Sequence, residues 1–167
     1  MIDVSGIYHL TPALMLSVAL YEPEIPPNTG NVARLCAATR VPLHIVGVTG
    51  FRLDERAVRR AGLDYWPEVE LHRHHDLDAL RDALPAARLV YLTTKARVSY
   101  TDWSFTPDDC LVFGPETRGL PAELLRANPD TCVRIPILNP RVRSLNLATA
   151  VAVILYEALR QTGSLKQ

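Results

Sequence analysis

The sequence predicts an α/β fold: a mainly parallel sheet with helices on both faces. Three observations predict it. Short apolar runs alternate with helical stretches along the chain. The runs "RLVYLTT" and "CLVFG" are apolar on both faces, as in strands buried in a parallel sheet. And 167 residues with 48% hydrophobic and 22% charged content suit one globular domain with a sizeable core rather than a disordered chain.

The elements follow in order. "SVALY" (residues 17–21) reads as a strand, and "EPEIPPN" as a loop stiffened by Pro23, Pro26 and Pro27. Residues 29–40 read as a helix capped by Asn28 or Thr29. Residues 43–48 form a strand. Residues 54–62 form a helix with an acidic start, a basic end and a closing Gly62. A strand at 68–72, a short helix at 77–84 and strands at 88–94 and 110–114 come next. Residues 121–127 read as a helix with Pro121 in its first turn, and 131–137 as a last strand. Residues 144–163 form a long C-terminal helix, apolar nearly all round. Such a helix is covered on more than one side: either the core wraps it or a second subunit covers its outer face, and the second is favoured because a small domain seldom encloses a terminal helix completely.

The bulk numbers exclude several classes. Lys and Arg balance Asp and Glu at zero net charge, so any attraction to nucleic acid is local. Cys36, Cys110 and Cys132 are odd in number and lack CxxC spacing, which favours buried thiols in a reducing, cytoplasmic setting over disulfides or zinc. The longest apolar run falls far short of the ~20 residues a membrane span needs. Residues 1–16 read as a short N-terminal extension or an over-called start, with Met15 as the alternative first residue. Residues 17–167 read as a single domain.

In such sheets ligands sit at the carboxyl ends of strands, which points to the loops after Leu92, Phe113 and Ile137. Three constellations could carry chemistry. In "PPNTGNVAR", Asn28, Asn31 and Arg34 are spaced by three near a helix start and would suit a phosphate or ribose; an N-cap plus a surface arginine accounts for them equally well. In "LVFGPETRGLP", Gly114 permits close approach to the backbone, Pro115 stiffens the turn and Glu116 stands at its mouth; a plain strand-to-helix connection is the alternative. In "IPILNPRVRSLNLATA", Ser144 reads as the helix N-cap, while Asn146 is a poor helix former whose presence asks for a reason. "HRHHD" lacks metal-ligand spacing and fits a solvated turn better than a metal site, so no metal is expected. No GxGxxG, P-loop or GxSxG motif is present.

The three constellations in this order resemble the SPOUT class of RNA 2′-O-methyltransferases, and within it the family that methylates the wobble cytidine or uridine ribose of tRNA. The matching text is "LYEPEIPPNTGNVARLCA", "RRAGLDY", "LTTK", "LVFGPETRGLP", "RIP" and "RSLNLATAVAVILYEALRQ", which spans nearly all of residues 18–161. Two stretches depart from the family pattern. "ILNPRVRSLN" is one residue longer than the usual loop, and "KARVSYTDW" replaces a shorter, glycine-containing one.

The resemblance implies a sheet whose C-terminal part is threaded into a trefoil knot, a rare exception to ordinary chain connections. It implies S-adenosylmethionine as cofactor and the anticodon stem-loop of leucine tRNAs as substrate. It implies a homodimer formed through the C-terminal helix, with the active site at the subunit interface. Carried over residue by residue, Arg34, Asn28, Glu116, Ser144, Asn146 and Tyr156 serve catalysis. Leu92, Gly114, Glu116, Ile135, Ile137 and Ser144 hold the cofactor. Arg52, Arg56, Arg59 and Arg60 would contact phosphates or simply form a solvated helix face. The rivals at this point are methylation at another tRNA or rRNA position and a catalytically silent RNA-binding dimer. The second predicts a lost motif residue, and none is lost.

Overall fold

The computed structural model describes residues 15–52 and 64–166. Seven parallel strands lie in the order β3-β2-β1-β6-β4-β7-β5. They are β1 (Ser17–Tyr21), β2 (Leu43–Val46), β3 (Leu71–His74), β4 (Arg88–Leu92), β5 (Val98–Ser99), β6 (Asp109–Phe113) and β7 (Cys132–Arg134). The helices are α1 (Pro26–Thr39), α2 (Leu77–Ala83), α3 (Ala122–Ala127) and α4 (Leu147–Gln161).

Alternation along the strands builds two cores. On β1, Val18 and Leu20 face a cluster with Val32, Ala33 and Cys36 of α1 and Val151, Ile154 and Leu155 of α4. Ala19 between them faces the other cluster, with Leu80 of α2 and with Leu124 and Leu125 of α3 against it. Helices therefore cover both faces, as the sequence predicts. Asp109, fully buried at the start of β6, accepts from Arg88 Nε at 2.7 Å and from Thr106 N at 3.0 Å, which ties the starts of β4 and β6 together. The three cysteines are free and buried, and burial pushes the Cys36 and Cys110 thiols up to about 12.

Several expectations need correction. The first helix starts at Pro26, not Thr29, and its N-cap is Ile25 without a side-chain bond. Proline has a preset φ and needs no N–H partner in a first turn, so Pro26 and Pro27 can open the helix themselves. This frees Asn28 from capping. The third strand begins at Leu71 because Trp66–Glu68 forms a 3₁₀ turn; part of the histidine-rich stretch is thus strand, not solvated turn. Gly47, at φ +78, ends β2 early. The short helix ends at Ala83. The fourth strand ends at Leu92 in a turn, and "KARVSYTDW" contributes an unexpected edge strand, β5, paired with β7. The sixth begins one residue early, at Asp109. Pro121 caps α3 rather than opening it. The last strand closes at Arg134, short of Pro136. The C-terminal helix begins at Leu147, capped by Asn146 and not by Ser144. The expected helix at 54–62, with Arg56, Arg59 and Arg60, lies outside the described residues.

Candidate active site

A cavity of about 650 Å³ opens at the carboxyl ends of β4, β6 and β7, within the roughly 300–1,000 Å³ typical of ligand sites. Leu92, the last residue of β4, and Thr93 after it line it. Gly114, Pro115 and Glu116 follow β6, Ile135 and Ile137 follow β7, and Ser144 and Asn146 precede α4. All six residues expected to hold the cofactor therefore border one space. A Cβ on Gly114 would sit 2.4 Å from Leu120 N and 2.5 Å from Gly119 C. The loop folds back on its own main chain there, closed by Gly119 N donating to Pro115 O at 2.9 Å, and only glycine fits.

One directed hydrogen-bond chain joins the three sequence constellations. Asn28 Nδ2 donates to Glu116 Oε1 at 3.1 Å, and Asn146 Nδ2 donates to Asn28 Oδ1 at 2.9 Å. Asn146 Oδ1 accepts from Ala148 N and Thr149 N, which caps α4. A carboxylate only accepts and a backbone N–H only donates, so both amide orientations are fixed by the ends of the chain. Asn146 thus caps a helix with one atom and bridges motifs with the other, which is why a poor helix former stands there.

Glu116 also accepts from Glu24 N at 2.8 Å and Ile25 N at 3.2 Å. Glu24 reaches back: its carboxylate accepts from Thr117 N at 3.0 Å and from Thr117 Oγ1 at 2.7 Å. The two loops exchange carboxylates and lock together. The Thr117 side chain and then its backbone N–H hold the Glu24 carboxyl below the usual carboxylate range. Arg118 closes the lock on Glu22 and, at 3.3 Å, on Glu24. Glu22 has left-handed backbone, φ +44, and donates its N–H to Val46 O at 2.8 Å. A Cβ on Gly47 would meet Glu22 Cγ at 2.7 Å. Sequence reasoning missed Glu22, Glu24, Thr117 and Arg118. The signal was there in two carboxylates flanking Pro23 and a Thr-Arg pair beside Glu116.

Two expected catalytic residues stand apart. Arg34 is exposed on α1 and does not line the cavity; its guanidinium lies 5.7 Å from the centre of the Tyr65 ring. Tyr65 is held in turn by its hydroxyl, which donates to Gly30 O at 2.9 Å. Tyr156 is 46% exposed on α4, also away from the cavity. Both helices belong to the same layer over the sheet.

Residues 15–156 match the model of the SpoU rRNA Methylase family. The chain belongs to the SpoU methylase family. Among its relatives, an Escherichia coli (strain K12) protein named tRNA (cytidine(34)-2′-O)-methyltransferase is 51% identical over 150 residues, covering 89% of this chain and 95% of that one. A solved structure described as giving insights into the 2-OH methylation of C/U34 on tRNA is 49% identical, with TM-score 0.81, covering 88% and 95% of the two chains. The SpoU methyltransferase AviRb from Streptomyces viridochromogenes, solved with AdoMet, is 28% identical with TM-score 0.76, covering 89% of this chain and 58% of that one.

SpoU methylases use S-adenosylmethionine, and the residues present fit it. The backbone at Gly114 is free of any Cβ, Leu92, Ile135 and Ile137 supply apolar walls, and the space accommodates a nucleoside. Among the described residues no cluster of His, Cys, Asp and Glu is placed to hold a metal ion, and no helix is long and apolar enough to cross a membrane.

Proposed function

We propose that the chain is an S-adenosylmethionine-dependent tRNA 2′-O-methyltransferase acting on the ribose of the wobble pyrimidine, cytidine or 5-substituted uridine, of leucine tRNAs. The observation that carries the reading is the convergence of Asn28, Glu116 and Asn146 through one hydrogen-bond chain on the rim of a nucleoside-sized cavity. The names of the relatives, cytidine(34) and C/U34, support the position. Cytoplasmic location and the trefoil-knotted threading of the C-terminal segment belong to the same proposal.

When bound, S-adenosylmethionine supplies a methyl group on a sulfonium centre. Leu92, Ile135, Ile137 and the main chain at Gly114 hold it, with Ser144 at the edge. Glu116 keeps the first-helix loop closed over the cavity, and Asn28 and Asn146 fix the loop that precedes α4. The residues around the cavity would have to hold the ribose hydroxyl at near-attack distance, roughly 3–3.5 Å, from the group it receives.

Arg34 does not line its own chain's cavity, and in this proposal it serves the cavity of a second copy. A homodimer packed through the outer face of α4, where Tyr156 is exposed, places both residues at a shared interface. A guanidinium does not give up its proton in proteins. In this reading Arg34 binds substrate phosphate and the developing alkoxide, and the proton leaves to phosphate or water.

The test uses labelled S-adenosylmethionine, purified protein and total tRNA from a strain lacking the activity, with the methylated nucleoside mapped by mass spectrometry. A 2′-O-methyl pyrimidine at the wobble position of leucine tRNA is the expected result. A 2′-O-methyl group at any other position discards the site assignment, and no transfer despite cofactor binding discards the activity on tRNA alone.

A further inference from the structure

We propose that Lys95, Arg97, Arg141 and Arg143 form a phosphate-binding rim that seats the RNA backbone at the cavity mouth. The proposal rests on the function given above and deepens it. It places the contact on the two stretches that depart from the family pattern.

Placement is the first argument. Lys95 and Arg143 line the cavity from opposite loops. Lys95 and Arg97 sit in the turn after β4, whose backbone is pinned by Ala96 N donating to Thr93 O at 3.3 Å and by β5 pairing with β7 at Val98 and Val133. Arg141 and Arg143 sit before α4, where Arg141 N donates to Asn139 Oδ1 at 3.0 Å and Val142 N to Asn139 O at 3.0 Å. The loops are bonded while all four cationic residues are exposed.

Charge is the second. The chain is neutral overall, yet residues 134–146 hold three arginines and no carboxylate, and residues 95–101 hold two cations and none. Arg81, Arg88, Arg118 and Arg160 are each ion-paired. Among the described residues, Lys95, Arg97, Arg141 and Arg143 have no carboxylate partner. Glu116 is the one carboxylate among the cavity's lining residues, and its oxygens are taken by three N–H donors. Four unpaired cations on two loops around a nucleoside-sized space match phosphates on either side of an inserted ribose. Contacts of this kind set affinity and register, not base identity.

The test measures binding of the full-length protein to an end-labelled anticodon stem-loop RNA across a salt series. The variant Arg97→Ala/Arg141→Ala spares Lys95 and Arg143, the two rim cations that line the cavity. We expect about tenfold or greater weakening at low salt and a salt-dependence slope smaller by about 1.5–2. S-adenosylmethionine affinity stays unchanged. Arg97→Lys/Arg141→Lys keeps most of the slope, and Arg81→Ala, on a cation already paired with Asp78, behaves as wild type. An unchanged affinity and slope in the alanine variant overturns the proposal, as does failure of the lysine variant to retain them. If the rim binds RNA as expected but no methyl reaches the wobble ribose, the functional reading fails and the rim stands. Wobble methylation with an unaffected alanine variant does the reverse.

Discussion

Asn28 and Asn146 stand 118 residues apart in the chain, and their side-chain amides meet at 2.9 Å. The contact joins the first turn of α1 to the cap of α4 and passes on to Glu116, so three segments around the cavity are tied together by side-chain hydrogen bonds. It is also where helix stability and site geometry share a residue, and the two can be separated.

Asn146→Ala loses both the cap, worth about 1 kcal/mol, and the bond to Asn28. Serine caps nearly as well as asparagine but is too short to replace the amide donor. Asn146→Ser should therefore melt close to wild type while its kcat falls about tenfold, the worth of one hydrogen bond. Thermal melts and steady-state kinetics on the two variants decide it. Equal loss of both quantities in both variants would mean that the bridge to Asn28 is incidental.

Gly114→Ala places a methyl against the backbone of Gly119 and Leu120, which has no flexible side chain to yield. The expected cost is about 1–3 kcal/mol, with S-adenosylmethionine binding lost as the loop is pushed into the cavity. Calorimetric titration with the cofactor on the folded variant checks this, and wild-type affinity would contradict it.

His44 is buried, its Nδ1 lies 2.8 Å from His74 Nε2, and its own Nε2 has no partner. Burial first, then the His72 and His74 charges, push it down to about 4. The unfolded chain takes up this proton below its ordinary value of 6.5 while the native state resists, so stability is full above pH 6.5 and falls as pH drops toward 4. The loss is on the order of 2–3 kcal/mol. Glu157, held down to about 2 by Arg160 and then Gln161, adds its loss only below about pH 4.5. Chemical denaturation of wild type and His44→Phe at a series of pH values should show a flatter curve for the variant between pH 6.5 and 4.5. Parallel curves would contradict the assignment.

The strands apolar on both faces, β1, β4 and β6, were legible because burial on two sides leaves an unbroken run in the sequence. β3 was displaced because its His72 and Arg73 are exposed, and β5 went unseen because two residues carry no period. The cap of α4 was misread because Ser144 and Asn146 both suit that role, and only the bonds from Ala148 N and Thr149 N to Asn146 Oδ1 distinguish them. The Glu24–Thr117 exchange spans 93 residues, beyond any local pattern. Spacing with Asn28 and Asn31 singles out Arg34 as a phosphate or ribose ligand, but its catalytic role, like that of Tyr156, came from resemblance alone, since no single-chain feature brings either to the cavity.

The most direct measurement of the account's central claim, that two copies share each active site, is the activity of an isolated mixed dimer. One subunit carries Arg34→Ala and the other Gly114→Ala, purified through two different affinity tags after circular dichroism confirms that both fold. If Arg34 serves its partner's cavity, one of the two sites is intact and the mixed dimer has about half of wild-type activity, although each parent homodimer is inactive. If each chain uses its own Arg34, neither site is intact, and a mixed dimer as inactive as its parents would contradict the account.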